Sequence, residues 1–283
     1  MLYPDLSVEA EKAWLEMIHR YFAGALGLLV FAISFIGIKT KRVPLTSSVA
    51  ATAIVIFQAL LGMWTVTLKL WPVVVMGHLL GGFALFSCLA MIYWQAQLER
   101  DPIDHLQISQ SLRPWAALTL VVVVLQIALG GWTSSNYAAL MCTSLPICEG
   151  DWMSHLDFAN AFKLIHPGFD NYEFGILDYG PRMTIHVAHR IGAIVTALVV
   201  AVFVFRCLAG SERALNRTGW IMFLLLLIQI GLGVSNVLFS LPIGVAVAHN
   251  LGAALLLLSV LHANVLLWQP NEYIELTKET LHE

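Results

Sequence analysis

A chain of 283 residues of which 59% are hydrophobic and only 12% charged carries about half the charged share usual in soluble domains. With a mean hydropathy of +0.78, that balance excludes a water-soluble globular fold and leaves an integral protein of the lipid bilayer. A net charge of −3 with 15 Lys and Arg supplies no basic field, so no nucleic acid is expected as a partner.

A bilayer core needs about 20 apolar residues of each spanning helix, and the sequence contains seven such stretches. They run Ile18–Ile38, Val49–Leu68, Val73–Trp94, Trp115–Thr133, Met183–Phe205, Trp220–Phe239 and Ile243–Trp268. Orientation follows from where Lys and Arg fall near the helix ends. Lys39, Lys41 and Arg42 follow the first span, Arg100 and Arg113 flank the loop after the third, and Arg206, Arg213 and Arg217 follow the fifth. Those alternate loops face the cytoplasm, and the long segment 134–182 faces outward. No cleavable signal peptide is recognisable.

The cysteines agree with that orientation. Cys142 and Cys148 flank "TSLPI" in the outer loop, where disulfides persist, and they are expected to be bonded. Cys88 and Cys207 lie in or at the end of spans and are expected to be inert. His155 and His166 of the same loop lack compact zinc-ligand spacing.

The chain repeats itself. "HRYFAGALGLL" at 19 has its counterpart in "HRIGAIVTALV" at 189, "QALLG" at 58 in "QIGLG" at 229, and "HLLGG" at 78 in "HNLGA" at 249, with offsets of 170, 171 and 171. Pro72 and Pro242 precede the second His of each half. The second half has an additional leading helix that ends in "QIALGGWTSSNYAALMC". Residues 1–15, "MLYPDLSVEAEKAWL", read like the tail of an outer loop whose helix lies ahead of Met1, so the expected native protein has eight spans and a cytoplasmic N-terminus. The expected fold class is all-α: a polytopic membrane protein of two pseudo-symmetric four-helix bundles, with the first helix missing here and seven spans seen. The expected organisation is an N-terminal half over 1–97, a cytoplasmic linker over 98–113, a C-terminal half over 114–270 with outer loop 134–182, and a cytoplasmic tail over 271–283.

Four histidines, His19, His78, His189 and His249, fall in the outer part of the membrane on helices entering from that side. Single intramembrane histidines are commonly packing residues, but ionisable groups there are candidate functional sites, and here position, depth and repetition coincide. Each half offers two imidazoles without a cysteine cluster or carboxylate cage. Zinc or a dinuclear centre requires more ligands, whereas haem fills four iron positions and leaves two axial sites. Gly24, Gly27, Gly81, Gly82, Gly192 and Gly252 suit the close approach of a flat macrocycle, or equally ordinary small-residue helix packing. Arg20 and Arg190 can pair with haem propionates or snorkel to lipid phosphates.

The halves differ at one position. Glu16 precedes His19 by one helical turn, and the matching residue before His189 is His186. A carboxylate at one site and an imidazole at the other points to one reacting site and one that holds or passes electrons; the plainer reading of Glu16 is a first-turn residue favoured by the helix dipole.

"EMIHRYFAG", "GMWTVTLKLWPVVVMGHLLGGF", "LGGWTSSNYAALMC" with "PICEG", and "VAHRIGA" followed by "VAHNLGA" closely resemble the bacterial haem A synthase family, over residues 10 to 268. Members are eight-helix membrane proteins of two four-helix halves; the family's first helix and the Cys-containing loop after it have no counterpart in this sequence. The resemblance implies oxidation of the C8 methyl of haem O to the formyl of haem A by successive hydroxylation, for cytochrome oxidase. Carried over by motif, His19 and His78 flank the substrate haem, Glu16 is the acid of the catalytic half, and His189 and His249 ligate a haem b cofactor. It further implies haem O passed from a haem O synthase, an electron acceptor of unknown identity, and a place in the bacterial cytoplasmic (inner) membrane with the haem sites toward the outer side. The rival functions are a bis-histidine cytochrome b electron carrier and a haem carrier or transporter.

His262 lies 13 residues inward of His249, roughly 20 Å along a helix, and is expected to be a packing residue. His105 and His282 fall in polar segments. Trp64, Trp71, Trp132 and Trp268, near span ends, read as interfacial anchors.

Overall fold

The computed structural model describes residues 10–41, 43–100 and 110–268. Arg42, His105, His282, most of the linker and the C-terminal tail fall outside them. The described residues are helical, without strands: α1 Ala10–Thr40, α2 Leu45–Thr67, α3 Pro72–Arg100, α4 Arg113–Ser135, the single turn α5 Phe158–Ala161, α6 Tyr179–Leu208, α7 Arg213–Leu238 and α8 Ile243–Leu267. Seven of them are long and apolar enough to cross a membrane, in the places expected, and the protein is a multi-pass membrane protein. Most of the helices outrun their apolar stretches at an end, because backbone hydrogen bonding continues into the polar headgroup layer while side-chain hydropathy does not.

The chain forms two compact units, Met1–Ala59 and Leu60–Glu283. In the first, α1 meets the start of α2 through small residues: the Ser34 hydroxyl donates to the Ser48 carbonyl at 3.3 Å, and Gly27 lies under Val55. In the second, α4, α6, α7 and α8 enclose a core in which Val123, Ile127, Phe203, Val204, Met222 and Leu256 interdigitate, and α3 packs against α4 and α8.

The repeat extends to the turns. After α2 the amides of Leu68, Lys69 and Leu70 donate to the carbonyls of Trp64, Val66 and Thr65, and after α7 those of Phe239, Ser240 and Leu241 donate to Ser235, Val237 and Asn236, each pair 171 residues apart. Lys69 and Leu70 have φ of 49° and 62°, Ser240 and Leu241 of 56° and 61°. Non-glycine residues in the left-handed region cost about 1 kcal/mol or more each, so their recurrence marks a turn inherited with its geometry. The end of α4 closes the same way: Asn136, Tyr137 and Ala138 donate to Trp132, Ser134 and Thr133. Helices α2, α4 and α7 are thus three copies of one element, each followed by a spanning helix that carries a histidine, α3, α6 and α8.

Candidate functional site

In the second half the expected ligands lie on α6 and α8. His189 on α6 and His249 on α8 are half-buried, near enough for the charge of one to bear on the other. Behind each ring stands a glycine of the preceding helix. A Cβ at Gly130 would lie 3.2 Å from Cε1 of His189, and one at Gly233 would lie 3.3 Å from Cε1 of His249. The same relation holds for His78 on α3, whose Cε1 would be 3.3 Å from a Cβ at Gly62. The three rings therefore lie against bare backbone.

Two glutamines complete the support. The Gln126 amide nitrogen donates to the His189 carbonyl at 3.0 Å and faces Nδ1 of the same residue at 3.1 Å. The Gln229 amide donates to the His249 carbonyl at 3.0 Å and faces the ring Nε2 at 3.4 Å. The sequence reading treated "QALLG" and "QIGLG" as repeat markers and passed over "QIALG" at 126 as a third copy; that five-residue pattern was the available signal for both glutamines.

A haem fits this donor set better than a bare ion. Among the described residues no three His, Cys, Asp or Glu side chains come together around one point, so an ion alone would have two protein ligands at most. A macrocycle brings four of its own and needs two imidazoles.

His186 and Arg190 bind the loop between α4 and α6 to α6. Nδ1 of His186 accepts the Cys142 N–H at 3.2 Å, and its Nε2 faces Nε of Arg190 at 3.2 Å. The Arg190 guanidinium also donates to the carbonyls of Cys142, Ser144 and Ile147. Four of its five N–H groups are thereby directed into protein, and the residue is buried, so it does not snorkel to lipid. Cys142 and Cys148 sit at disulfide distance, their Cα atoms 4.9 Å apart. Within that loop the Glu149 carboxylate accepts from the backbone and hydroxyls of Thr143 and Ser144. The Ser144 backbone and hydroxyl bonds, with that from Thr143, hold its pKa down at about 2.

The rest of the loop is tied down by tryptophan. Trp132, expected as an interfacial anchor, is instead buried, with Nε1 donating to the Ala161 carbonyl at 2.8 Å; the loop folds back over the helix end and converts a membrane-edge position into a core one. Trp71 donates to the Leu164 carbonyl at 3.2 Å. His262 packs against Trp94, ring centroids 4.9 Å apart, and its Nδ1 lies 3.1 Å from the Thr218 hydroxyl.

In the first unit Glu16, His19 and Arg20 share the N-terminal half of α1, exposed, with Arg20 paired to Glu16 one turn away.

Fold and site together define a class: a polytopic helical membrane protein built from repeated hairpins, each presenting a histidine against a glycine. More specifically, the chain belongs to the cytochrome oxidase assembly protein family COX15-CtaA, whose sequence pattern matches residues 3–261. It is 50% identical to a protein of Shewanella oneidensis named heme A synthase, across 94% of this chain and 80% of that protein. Proteins of the same name from Allorhizobium ampelinum and Nitrosospira multiformis are 28% and 25% identical, over 89% and 92% of this chain and 69% and 73% of theirs.

Proposed function

We propose that this protein is a haem A synthase, a membrane oxidoreductase that converts haem O into haem A for cytochrome oxidase. The observation that carries the reading is the 50% identity, over 94% of the chain, to a protein of that name. The donor set agrees with it: imidazoles come in pairs, and the two halves differ at the position one turn before the first imidazole.

By the family motif the substrate haem is assigned to the first half, with His19 and His78 as its histidines and Glu16 as the acid–base residue of the reaction. Each of two hydroxylations of the C8 methyl adds the oxygen of a water and gives up two electrons and two protons, the electrons going to the external acceptor, and the geminal diol then loses water to leave the formyl group. Glu16 is placed for proton transfer by its position one turn before His19, where it pairs with the Arg20 guanidinium. His189 and His249 hold a haem b cofactor, which when bound supplies one-electron transfer. Their glycine-backed rings give it a fixed seat, and the remaining Arg190 N–H and Arg20 are available to propionates. The protein lies in the bacterial inner membrane with both sites toward the outer face, receives haem O from a haem O synthase, and passes electrons to an acceptor outside the chain.

Extraction of pigment from the purified protein after supply of haem O tests the reading. Haem b together with haem O or haem A is the expected result. Haem b alone would make the protein a bis-histidine cytochrome, unchanged haem O without haem A would make it a carrier, and absence of pigment would make it a non-haem bundle.

A further inference from the structure

Gln-x-x-Leu-Gly occurs three times, at Gln58–Gly62, Gln126–Gly130 and Gln229–Gly233, and the helix after each carries His-x-x-Gly, at His78–Gly81, His189–Gly192 and His249–Gly252. In the last two copies the patterns interlock. The imidazole lies on the glycine four residues after the glutamine, and the glutamine Oε1 lies where a Cβ would stand on the glycine three residues after the histidine. Each amide nitrogen is bonded to the backbone carbonyl of the histidine it faces. A buried interhelical glutamine by itself is ordinary packing glue. Here the amide also faces a nitrogen of the ring, and in both copies its Oε1 is buried with no hydrogen-bond partner. Buried polar atoms are rarely left unpaired, and this orphan occurs twice at the same place.

We propose that Gln126 and Gln229 are positioning residues that set the plane and proton location of His189 and His249. The inference rests on the assignment of those imidazoles as haem b ligands. An imidazole that gives its Nε2 lone pair to iron carries its proton on Nδ1 and needs an acceptor there. The group at Nδ1 of His189 is the Gln126 amide, 3.1 Å away. With a donor at one end and an acceptor at the other, an amide can serve either tautomer: its nitrogen serves the ring while Nδ1 is bare, and turning it about its last torsion presents the orphan Oε1 when Nδ1 is protonated, in exchange for the bond to the His189 carbonyl. At His249 the amide faces Nε2 and Nδ1 is buried without a hydrogen-bond partner, so there the ring has to reorient before its Nδ1 meets the amide. The glycines confine these movements, because a methyl at Gly130 or Gly233 would press on the ring and one at Gly192 or Gly252 on the amide.

The test uses the purified haem-loaded protein and four variants, Gln126→Glu, Gln229→Glu, Gln126→Met and Gln229→Met. Haem b content, the g-values of its low-spin electron paramagnetic resonance spectrum and its midpoint potential are measured. A carboxylate accepts more strongly from Nδ1–H, so both Glu variants should retain haem b within twofold of the parent, at a lowered potential. The Met variants fill the space without an acceptor and should raise the potential and shift or broaden the g-values. Parent potentials and g-values throughout would overturn the proposal, and so would equal displacements in the Glu and Met variants, the signature of packing alone. Loss of haem from a membrane-inserted Glu variant counts against it as well. If one variant does not accumulate, its counterpart at the other glutamine decides. A parent protein without haem b, or a His189→Ala variant with a normal haem b spectrum, would instead remove the ligand assignment, and that is seen before any glutamine is changed.

Discussion

The His-Arg segments of α1 and α6 occupy the same place in the repeat and have met different fates. On α1, Arg20 and Glu16 pair across one turn with 54% and 48% of their side chains exposed. On α6, Arg190 and His186 contact each other across the same turn at 9% and 4% exposure, and the guanidinium is committed to the loop between α4 and α6. An exposed ion pair is worth about 0–1 kcal/mol. A buried guanidinium with several carbonyl acceptors is part of the scaffold. One spacing therefore carries an exposed ion pair in one copy and a buried, loop-holding pair in the other.

The largest expected effect separates the two halves by their pigment. His189→Ala and His249→Ala should each remove or grossly destabilise haem b while the protein stays in the membrane. His19→Ala should keep a normal haem b spectrum and stop product formation. A pyridine haemochrome assay on the three proteins checks it, and a normal low-spin spectrum in both α6 and α8 variants would erase the distinction between the halves.

Next in size is the carboxylate. Loss of a general acid–base residue commonly costs about 100-fold or more in rate. Glu16→Ala should therefore accumulate haem O or a hydroxylated intermediate at unchanged haem b content, read by chromatography and mass of the extracted haems. His186→Ala should do the reverse, disturbing the haem b spectrum through the loop it holds. Parent-rate haem A from Glu16→Ala would reduce that residue to a first-turn helix former.

The guanidiniums give the comparison in stability. Lys cannot reproduce the planar fork that lets Arg190 meet three carbonyls and an imidazole. With hydrogen bonds to charged groups worth about 1.5–3 kcal/mol each, Arg190→Lys should cost on the order of 3 kcal/mol and lower the apparent Tm by several degrees. Arg20→Lys should change stability by less than about 1 kcal/mol. Equal effects in detergent melts would show that burial does not distinguish the two arginines.

How far these features could be read from the sequence depends on what made them. Hydropathy located all seven spans, because lipid leaves the backbone no alternative to helix over apolar stretches. Residue spacing located Cys142 with Cys148 and aligned His19 with His189, since both are local or strictly periodic. The roles of Arg190 and Trp132 were not legible. Each depends on where a loop of more than forty residues folds back, and its acceptors at 144, 147 and 161 are backbone carbonyls that no side-chain pattern announces. The glutamines were visible as letters but not as partners of the histidines, because 63 residues separate Gln126 from His189 and only the twofold recurrence of the contact gives it weight.

The smallest expected effect concerns the loop that Arg190 holds and that has no counterpart among the described residues of the first unit. Glu149 titrates at about 2 in the folded protein against an ordinary 4.5, chiefly through the Ser144 backbone and hydroxyl bonds and the Thr143 hydroxyl. A carboxylate whose folded pKa is depressed lends stability above its unfolded pKa and loses it as pH falls toward the folded one. The contribution is therefore complete above about pH 5 and disappears between 4.5 and 2. It is small, because the carboxylate is exposed and solvent screens it. In hydrogen exchange corrected for intrinsic rates, the Thr143 and Ser144 amides, which donate to Glu149 at 3.2 Å and 3.1 Å, should lose protection on acidification through that window. Glu149→Gln should already show the lower protection at pH 7 and no further pH-dependent loss. The helical amides around His189 should be indifferent to both changes, since Arg190 reaches the loop through the carbonyls of residues 142, 144 and 147 and not through the carboxylate. Protection at Thr143 and Ser144 that is independent of pH in the parent would show that the backbone clamp from Arg190 alone shapes the loop.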